Sequence, residues 1–482
     1  MRVLFRADAS TASGIGHLMR SLALAQALRD VDDEVTLLTA VDLGSLADQW
    51  EAEGATVRLI DVEIGSADDA VQTGRMSREL RASWLVLDGY AFDEVYRSAL
   101  DPGARLLLID DHGGASLRAD LIVNGNLYGG EAMYPQVEGR LLTGPRYAIL
   151  RREFRAHVTD TRRAGVLLSL GGADPRERTA PLLAALTERG LRGQVVIGPR
   201  HPSPDNVRTI AVSAGWEPLD MPDRMAPLLA TAAIAIVGSG TTTLECAALG
   251  VPMVAVRIAD NQMRVASALD KLGLAVVVDA EDVQRAALAA AELAADHARR
   301  SAMAEAGPRI VDGQGASRVA GAMRGAMLTV RHATRNDAGS LYEWRNDPTT
   351  RASSFSAGEV PWDGHLAWLG HALSDAGTRL LVGELDGAPV GSVRLERKDE
   401  TATISITVAP EARSRGLAEP LIRAGLSAAE ELGVERVYAF IRPENEVSRR
   451  AFSAAGFIAA PWEAQGAPSD AIWLVCWLGR RP

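Results

Sequence analysis

The chain passes from the apolar run Val3-Leu4-Phe5 into the stretch Ser13-Gly-Ile-Gly-His-Leu-Met-Arg-Ser-Leu-Ala-Leu-Ala-Gln-Ala-Leu28. A strand that leads through a glycine-rich turn into a helix predicts the first βα unit of a parallel sheet. Helix starts carry unpaired backbone N–H groups and a partial positive charge, so this turn suits an anionic ligand. The same field disfavours a protonated His17. We therefore expect a neutral imidazole that can accept a proton.

Length and composition define the class of protein. A chain of 482 residues exceeds one ordinary core and predicts two or three domains. The sequence has no apolar run of about eighteen residues, so we expect no membrane span. The first residues do not resemble a signal peptide, and Cys246 and Cys476 form neither a disulfide framework nor a zinc pattern, which favours a cytoplasmic protein. The net charge of −11 argues against a nucleic-acid partner.

The first 300 residues alternate strand-like and helix-like segments, which predicts an α/β fold with two doubly wound, Rossmann-like lobes and a cleft between the carboxyl ends of their sheets. Predicted strands of the first lobe are Val3–Phe5, Val35–Leu38, Val57–Ile60, Trp84–Leu87, Leu106–Ile109 and Leu121–Val123. Those of the second begin within Gly165–Gly172 and continue with Val195–Ile197, Ala233–Val237, Pro252–Val256 and Ala275–Val278. We expect the Gly-, Pro- and Arg-rich stretch Gly125–Arg163 to be an irregular hinge.

The remainder of the chain predicts helices and then a third domain. Alanine-rich Asp282–Arg324 is helical in pattern, with expected interruptions at Gly307-Pro308 and at Asp312–Gly315. An α+β domain follows, with predicted strands at Leu328–Arg331, Leu380–Glu384, Val390–Leu395, Thr403–Val408 and Arg436–Ile441, and helices from about Leu417 and Val447. We therefore predict lobes at 1–150 and 151–326 and a third domain at 327–482.

Two glycine-rich turns of the second lobe suit an anionic ligand. Gly171-Gly172 follows its first strand, and Gly238-Ser239-Gly240-Thr241 leads from a later strand into a helix. The second turn has the form of a phosphate cradle. Glu245 has two interpretations that the sequence leaves open: the glutamate of a capping box with Thr242, or an acceptor for two ribose hydroxyls.

Several motifs together resemble a known family. They are Gly14-x-Gly16-His17-x-x-Arg20, Leu87-Asp88-Gly89-Tyr90, Asp110-Asp111, Gly144–Leu150, Leu170-Gly171-Gly172 and Gly238–Gly250. Over roughly residues 1–325 the chain resembles the UDP-2,4-diacetamido-2,4,6-trideoxy-β-L-altropyranose hydrolases of pseudaminic acid biosynthesis, which are related to two-lobed (glycosyltransferase B-type) transferases. The resemblance implies metal-independent hydrolysis with inversion, His17 as general base, and a UDP-sugar as substrate. It implies substrate contacts at Arg6, Asp8, Gly16, Arg20, Tyr90, Gly171, Gly172, Gly238, Ser239, Gly240, Thr241, Glu245, Asn261 and Gln262.

The third domain resembles the GCN5-related N-acetyltransferases. Its loop Arg413-x-x-Gly416-x-Ala418 follows a strand and opens a helix, and Asn445-x-x-Ser448 comes about thirty residues later. The resemblance implies acetyl-CoA as cosubstrate, with cofactor contacts at Val408, Arg413, Arg415, Gly416, Ala418, Asn445 and Ser448. Phe452 stands where many members have a tyrosine acid, and Glu396 or Ser405 could serve as the base. Tyr342–Asn346 and His365-x-x-Trp368 resemble acceptor-side elements, although aromatic pairs in helices are more often core.

The two resemblances together predict a bifunctional enzyme that acetylates a UDP-4-amino-sugar and then hydrolyses the UDP-2,4-diacetamido sugar to free sugar and UDP. The expected partners are a UDP-sugar and acetyl-CoA, with no metal, nucleic acid or membrane. Two alternatives remain at this stage. The lobes could be a glycosyltransferase or a non-catalytic nucleotide-sugar binding module, and the acetyltransferase could act on another amine or a protein N-terminus.

Overall fold

The computed structural model describes residues 1–8, 15–114, 117–155, 163–259, 262–460 and 471–478. The chain divides into two compact units, Met1–Val319 and Ala320–Pro482. The first unit contains two parallel sheets and the second contains one mixed sheet, so the fold is mixed α/β. The finer division into three domains at 150 and 326 stays a prediction.

The first sheet has seven parallel strands in the order β3-β2-β1-β4-β5-β6-β7, a doubly wound arrangement. Its strands are β1 (Arg2–Ala7), β2 (Glu34–Thr39), β3 (Thr56–Leu59), β4 (Trp84–Asp88), β5 (Arg105–Ile109), β6 (Leu117–Asn124) and β7 (Val137–Thr143). Its helices are α1 (Gly16–Arg29), α2 (Ser45–Ala52), α3 (Ala67–Glu79) and α4 (Glu94–Ala99). Central strand β1 is buried along almost its whole length, as a strand with helices on both faces requires.

The second sheet has six parallel strands in the order β10-β9-β8-β11-β12-β13. Its strands are β8 (Val166–Ser169), β9 (Gly193–Ile197), β10 (Glu217–Asp220), β11 (Ile234–Gly238), β12 (Met253–Arg257) and β13 (Val276–Asp279). The accompanying helices are α5 (Thr179–Glu188), α6 (Pro204–Ser213), α7 (Ala226–Thr231), α8 (Thr241–Ala248), α9 (Met263–Lys271), α10 (Val283–Ala295), α11 (His297–Ile310) and α12 (Gly315–Met327).

Two strands of the first unit escaped the sequence analysis because each contains a residue that is usually avoided in strands. The expectation that Gly125–Arg163 is irregular throughout was wrong, since β7 lies within it. Gly139 interrupts the apolar pattern of β7, but a Cβ there would lie 1.7 Å from the Ala119 carbonyl, so only glycine fits. Strand β10 contains Pro218, which is tolerated because this strand is at the edge of its sheet.

The expected helix interruption at Gly307-Pro308 was also wrong, because α11 runs through both residues. A Cβ on Gly307 would lie 2.4 Å from the Ala247 carbonyl, so the glycine allows α11 to pack directly against α8. Pro308 lies in the last turn of the helix, so it removes the single bond from its own position to the Ala304 carbonyl, and the helix ends two residues later. The predicted break at Asp312–Gly315 is confirmed, since α11 ends at Ile310 and α12 begins at Gly315.

The second unit has one seven-stranded sheet in the order β14-β15-β16-β17-β18-β20-β19. Its strands are β14 (Thr329–His332), β15 (Thr378–Leu385), β16 (Ala388–Lys398), β17 (Thr401–Val408), β18 (Arg436–Ile441), β19 (Ile458–Ala459) and β20 (Ile472–Trp477). Its helices are α13 (Ala338–Asn346), α14 (Pro348–Ser353), α15 (Trp362–Ser374), α16 (Ala418–Glu431) and α17 (Glu446–Ala454). Strands β19 and β20 were not predicted. None of the helices in the described ranges has the length and hydropathy that crossing a bilayer requires.

Candidate functional site

The start of α1 brings His17 to the carboxyl end of β4. Nδ1 of His17 lies 2.7 Å from Oδ1 of Asp88, the last residue of that strand. Both side chains are buried. Ser21, one turn further along α1, donates its hydroxyl to Oδ2 of Asp88 at 2.9 Å. The histidine is therefore fixed by a carboxylate from a neighbouring strand.

Arg20 links Asp88 to a second carboxylate. Its Nη2 lies 2.6 Å from Oδ1 of Asp88, and its Nη1 donates to both oxygens of Asp111 at 2.8 Å. Burial raises the pKa of the Asp88 carboxyl, but Arg20 and His17 more than offset this and hold its pKa below the usual value. In the same way Arg20 outweighs the effect of burial on Asp111 and keeps its pKa well below the usual range. Both carboxyl groups are therefore ionised at neutral pH.

The ionised Asp88 assigns the tautomer of His17. A carboxylate can only accept hydrogen bonds, so the 2.7 Å contact favours the imidazole proton on Nδ1. Nη2 of Arg20 lies 3.0 Å from the same nitrogen, and in this tautomer it donates to Asp88 instead. Nε2 then carries the lone pair. This is the arrangement in which a carboxylate orients an imidazole that takes up a proton at its other nitrogen.

The ring of Tyr90 packs against the ring of His17. The two rings meet edge to face with centroids 4.6 Å apart, and Tyr90 also contacts His112 at 4.6 Å. The Tyr90 hydroxyl donates to Oδ2 of Asp111 at 3.3 Å. Burial and Asp111 raise the pKa of this phenol, so it stays protonated. Tyr90 is 47% exposed and is thus available to a ligand beside His17.

Two further predicted contacts, Arg6 and Asp8, take part in a separate buried network. Arg6 is fully buried, and its Nε and Nη2 each donate to a different oxygen of Asp69 at 2.8 Å. Its Nη1 contacts Asp8, which also accepts from the Thr39 hydroxyl at 2.9 Å. The guanidinium is engaged within the lobe, so the structure does not bring Arg6 to a ligand-accessible surface.

The start of α1 lies against two turns that follow strands of the second parallel sheet. A Cβ placed on Gly172 would lie 3.1 Å from the side chain of Ile15, and one on Gly16 would lie 3.8 Å from Oγ1 of Thr241. Gly171 has a φ of +103°, which favours glycine. Ile15 and Gly16, which directly precede His17, thus lie beside Gly172 and Thr241.

The turn before α8 presents a helix start beside Gln262. Gly240 is the N-cap residue, and in the described part of the chain no side chain caps this helix. The hydroxyl of Ser239 is buried and has no hydrogen-bond partner among the described residues. The Gln262 amide nitrogen lies 3.9 Å from a Cβ built on Gly240, and its Oε1 accepts from the Ile258 N–H at 2.8 Å. Gly14 and Asn261 lie outside the described residues.

Glu245 does not form the capping box with Thr242, because α8 begins at Thr241 with Gly240 as its N-cap. Its Oε1 instead lies 3.5 Å from Nη2 of Arg151. Burial raises the pKa of Glu245, and Arg151 only partly opposes this rise. The capping-box interpretation of Glu245 is thereby removed. The carboxylate lies one turn inside the helix that begins at the glycine turn.

In the second unit, the loop before α16 has the backbone shape expected of an anion-binding turn. Ser414 and Gly416 have φ values of +62° and +76°. A Cβ on Gly416 would lie 2.6 Å from the Cα of Gly321, so a side chain is excluded there. Helix α16 then begins at Ala418, and the described residues supply no side-chain cap. The Arg413 side chain contacts Asp347 and donates to the Thr350 hydroxyl at 2.9 Å, so it also ties this loop to α14.

Strands β17 and β18 separate after a short paired stretch. Their parallel pairing covers Thr401–Thr403 and Arg436–Tyr438 only, whereas β17 pairs with β16 as far as Val408. The remainder of β17 therefore exposes backbone groups on the side that faces β18. A backbone edge of this kind can pair with an extended amide-containing ligand.

The other predicted acetyltransferase residues lie on β16, β17 and α17. Asn445 caps α17 by accepting from the Ser448 N–H at 3.1 Å. Phe452 is buried against Phe457, with ring centroids 5.0 Å apart. Glu396 and Ser405 are exposed on β16 and β17. We found no cluster of three or more His, Cys, Asp or Glu side chains that could hold a metal in the described ranges.

Residues 327–458 match the family model of the acetyltransferase (GNAT) domain. The chain carries a GNAT domain at its C-terminus. The spermidine N-acetyltransferase of Vibrio cholerae, solved with CoA and spermine, is 20% identical and covers 32% of this chain and 96% of its own, with a TM-score of 0.29. The ribosomal-protein-alanine N-acetyltransferase of Brucella melitensis is 24% identical and covers 31% and 99%, with a TM-score of 0.28.

The region before the GNAT domain has different relatives. A UDP-2,4-diacetamido-2,4,6-trideoxy-β-L-altropyranose hydrolase of Campylobacter jejuni is 25% identical over 193 residues, or 39% of this chain and 66% of the relative. An uncharacterised protein of Methanocaldococcus jannaschii is 25% identical over 277 residues, or 53% of this chain and 55% of the relative. The matches thus span between about half and two thirds of these relatives. The N-terminal region is homologous to the hydrolase, consistent with a fusion.

Sequence reasoning quoted Asp88 and Asp111 within motifs but gave neither a role. Both follow predicted strands of the first lobe, at the sheet edge where ligands of doubly wound folds bind. Their position at the ends of these strands was the sequence signal that could have identified them as site residues. Their spacing from His17 could not show that Arg20 joins the two carboxylates.

Proposed function

We propose that the chain is a bifunctional nucleotide-sugar enzyme that acetylates a UDP-linked 4-amino sugar and hydrolyses a UDP-2,4-diacetamido-2,4,6-trideoxy sugar. The observation that carries the hydrolase assignment is the His17–Asp88 pair beside the glycine turn Gly238–Thr241. The homology to the Campylobacter hydrolase and the GNAT domain in one chain support the pairing of activities. Glycosyltransferase B-type lobes and a cytoplasmic location belong to the same proposal.

In the proposed hydrolysis, Nε2 of His17 takes a proton from water as the water oxygen attacks the anomeric carbon. The bond between that carbon and the UDP oxygen breaks, and UDP leaves with the electron pair. Water thus supplies the hydroxyl of the free sugar, and the configuration inverts. Asp88 keeps the proton on Nδ1 and stabilises the imidazolium that forms, and such a positioned base contributes about 10²–10⁴ in rate.

The nucleotide would lie against the second lobe. The backbone of Gly238–Thr241 and the buried Ser239 hydroxyl suit the pyrophosphate. Arg151 contacts Oε1 of Glu245, and Oε2 would accept hydrogen bonds from the ribose hydroxyls. Tyr90 and Gln262, with Asn261, would contact the sugar, and Asp111 and Arg20 hold Tyr90 in place.

The residues of the GNAT domain fit acetyl-CoA as cosubstrate. The left-handed turn at Ser414–Gly416 and the uncapped start of α16, at Ala418, suit a pyrophosphate, with Arg415 in the same turn. The backbone of β17 near Val408 is free on its β18 side to pair with pantetheine amides, and Asn445 and Ser448 lie at the start of α17. When bound, the cosubstrate supplies an acetyl thioester. Glu396, or Ser405 through a water, would take the proton of the attacking amine.

Mass spectrometry of the products tests the proposal. The full-length protein is incubated with the UDP-4-amino sugar, with and without acetyl-CoA. We expect an acetylated UDP-sugar and then free diacetamido sugar plus UDP, only when acetyl-CoA is present. The variant H17A should accumulate the acetylated UDP-sugar. Hydrolysis by H17A at the wild-type rate would contradict the role of His17, and transfer of the sugar to an added hydroxyl acceptor in preference to water would favour a glycosyltransferase.

A further inference from the structure

The sheet face that packs against α13 and α15 changes from apolar to polar across three strands. Leu380 on β15 is buried, and it pairs with Arg394 on β16, which in turn pairs with Ser405 on β17. The three residues form one row across the sheet. The row runs from the core to the strand that separates from β18. Glu396, two residues after Arg394, extends the polar part of the same face.

Arg394 is held on this face with much of its hydrogen-bonding capacity unused. Its Nη1 lies 3.2 Å from Oε1 of Glu396, and its Cζ lies 5.8 Å from the centre of the Trp368 ring. About a third of the side chain (32%) is exposed. A guanidinium has five N–H donors in a planar fork, so one interaction with a carboxylate leaves most of them available to a ligand.

Trp368 is itself fixed by a buried histidine. His365 is 1% exposed, its ring centroid lies 5.5 Å from that of Trp368, and its Nε2 lies 2.9 Å from the Ala338 carbonyl. Burial lowers the pKa of His365, so the ring is neutral and donates through Nε2. The hydrogen bond from His365 to Ala338 joins α15, which also carries Trp368, to α13. Trp368 and Arg394 therefore form a preorganised pair rather than two independent surface side chains.

The ion pair between the partly exposed Arg394 and Glu396 contributes only about 0–1 kcal/mol, so a ligand can displace Glu396 from the guanidinium at little cost. A guanidinium that lies over an indole ring can still bind phosphate oxygens through two parallel N–H bonds. Arg394 supplies a positive charge that a diphosphate can use and a polycationic amine cannot. The guanidinium therefore favours an amine that carries a diphosphate over one that carries further positive charges.

We propose that Arg394 and Trp368 form an acceptor subsite that recognises the diphosphate of a nucleoside-diphosphate-linked amine. The inference rests on the proposed acetyltransferase activity and adds the residues that select its acceptor. Arg394 binds the diphosphate, and Trp368 holds the guanidinium in position. The amine then lies towards Ser405 and Glu396, where β17 separates from β18.

The test compares acceptors in the full-length protein by release of CoA thiol. The acceptors are a UDP-linked 4-amino sugar, the same amino sugar without UDP, and spermidine. Wild type should show a KM for the UDP-linked amine at least about tenfold lower than for the free amino sugar. R394Q should raise the KM for the UDP-linked amine by about tenfold or more, whereas the KM for the free amino sugar and for acetyl-CoA should change much less. Because Arg394 contacts the candidate base Glu396, any change in kcat should be the same for the two amino sugars. R394K should recover only part of the loss, because it restores charge without the planar fork.

R397Q is the matched control, since Arg397 lies three residues further along β16 and contacts the Asp399 carbonyl at 2.9 Å. It should leave every parameter unchanged. If R394Q acetylates all three acceptors with the wild-type order of preference, the subsite is overturned although the acetyltransferase assignment stands. If wild type prefers spermidine, the subsite is again overturned. Failure of wild type to acetylate any of these amines overturns the acetyltransferase proposal together with the subsite.

Discussion

Nδ1 of His17 and Oδ1 of Asp88 lie 2.7 Å apart, although 71 positions separate the two residues in the chain. We expect D88N to lower kcat for UDP release by about 10²–10⁴, because an asparagine can donate to Nδ1 and favour the tautomer with its proton on Nε2. Steady-state kinetics and the pH–rate profile check this. D101N, which changes an exposed carboxylate of the same lobe, should behave as wild type. A D88N enzyme with full activity would show that Asp88 does not position the base.

The bridge that Arg20 makes between Asp88 and Asp111 predicts a stability effect. R20M leaves two buried carboxylates without their cation, which should cost about 3–5 kcal/mol in the free energy of unfolding. Without Arg20 the pKa of both carboxyls rises, so the loss should shrink as the pH falls and they become protonated. Denaturant unfolding at several pH values measures this. The double variant R20M/D111N should be more stable than R20M, and a strictly additive result would argue against the bridge.

Glu245 offers a pH-dependent test of the nucleotide site. Because burial raises its pKa, the carboxylate protonates at a higher pH than usual, and affinity for UDP should fall as the medium is acidified towards that range. E245Q should weaken UDP binding by about tenfold and remove this pH dependence. Calorimetric titration with UDP and 2′-deoxy-UDP measures both effects. A similar loss for both ligands on E245Q would contradict a contact to the 2′-hydroxyl, and E292Q, an exposed change, serves as control.

Gly416 and Gly433 form a matched pair of glycines in the second unit. Both have left-handed φ values, +76° and +70°, but a Cβ would collide with Gly321 at the first and meet nothing within 4 Å at the second. G433A should therefore cost only about 1–2 kcal/mol of backbone strain. G416A should cost more and should also weaken acetyl-CoA binding, as measured by thermal unfolding and by titration. Equal effects of the two variants would show that the Gly321 contact is unimportant.

The ion pair of Asp337 and Arg331 predicts acid sensitivity of the second unit. Hydrogen bonds from Arg331 at 2.7 and 2.8 Å, with burial opposing them, lower the pKa of Asp337 to about 2. A carboxyl group with a lowered folded-state pKa stabilises the fold above its unfolded value, and that contribution is lost as the pH falls from about 4 to about 2. D337N should lower the unfolding temperature at pH 6 and have little effect near pH 2. An equal effect at both pH values would contradict the ion pair.

Local patterns predicted most of the parallel strands, because a buried strand is a short apolar run, and in several cases glycine or proline stands beside it. These patterns failed where a residue type that usually ends a strand or a helix has a second structural role. Gly139 and Gly307 read as breaks but serve close backbone approaches, and Pro218 marks an edge strand. The position of His17 at the start of α1 was predictable from its turn, whereas its partner Asp88 depended on the tertiary register of β1 and β4.

The three-residue pairing of β17 with β18 has a consequence for amide hydrogen exchange. Beyond Thr403, alternate N–H groups of β17 point away from β16 and pair with no strand in the described part of the chain. In the free protein these amides should exchange faster with deuterium than their neighbours, which are held by β16. A ligand that pairs with the strand edge would slow only the alternate set. Binding of a ligand between β17 and β18 could then be followed by deuterium exchange along β17 in the intact chain, without any measurement of turnover.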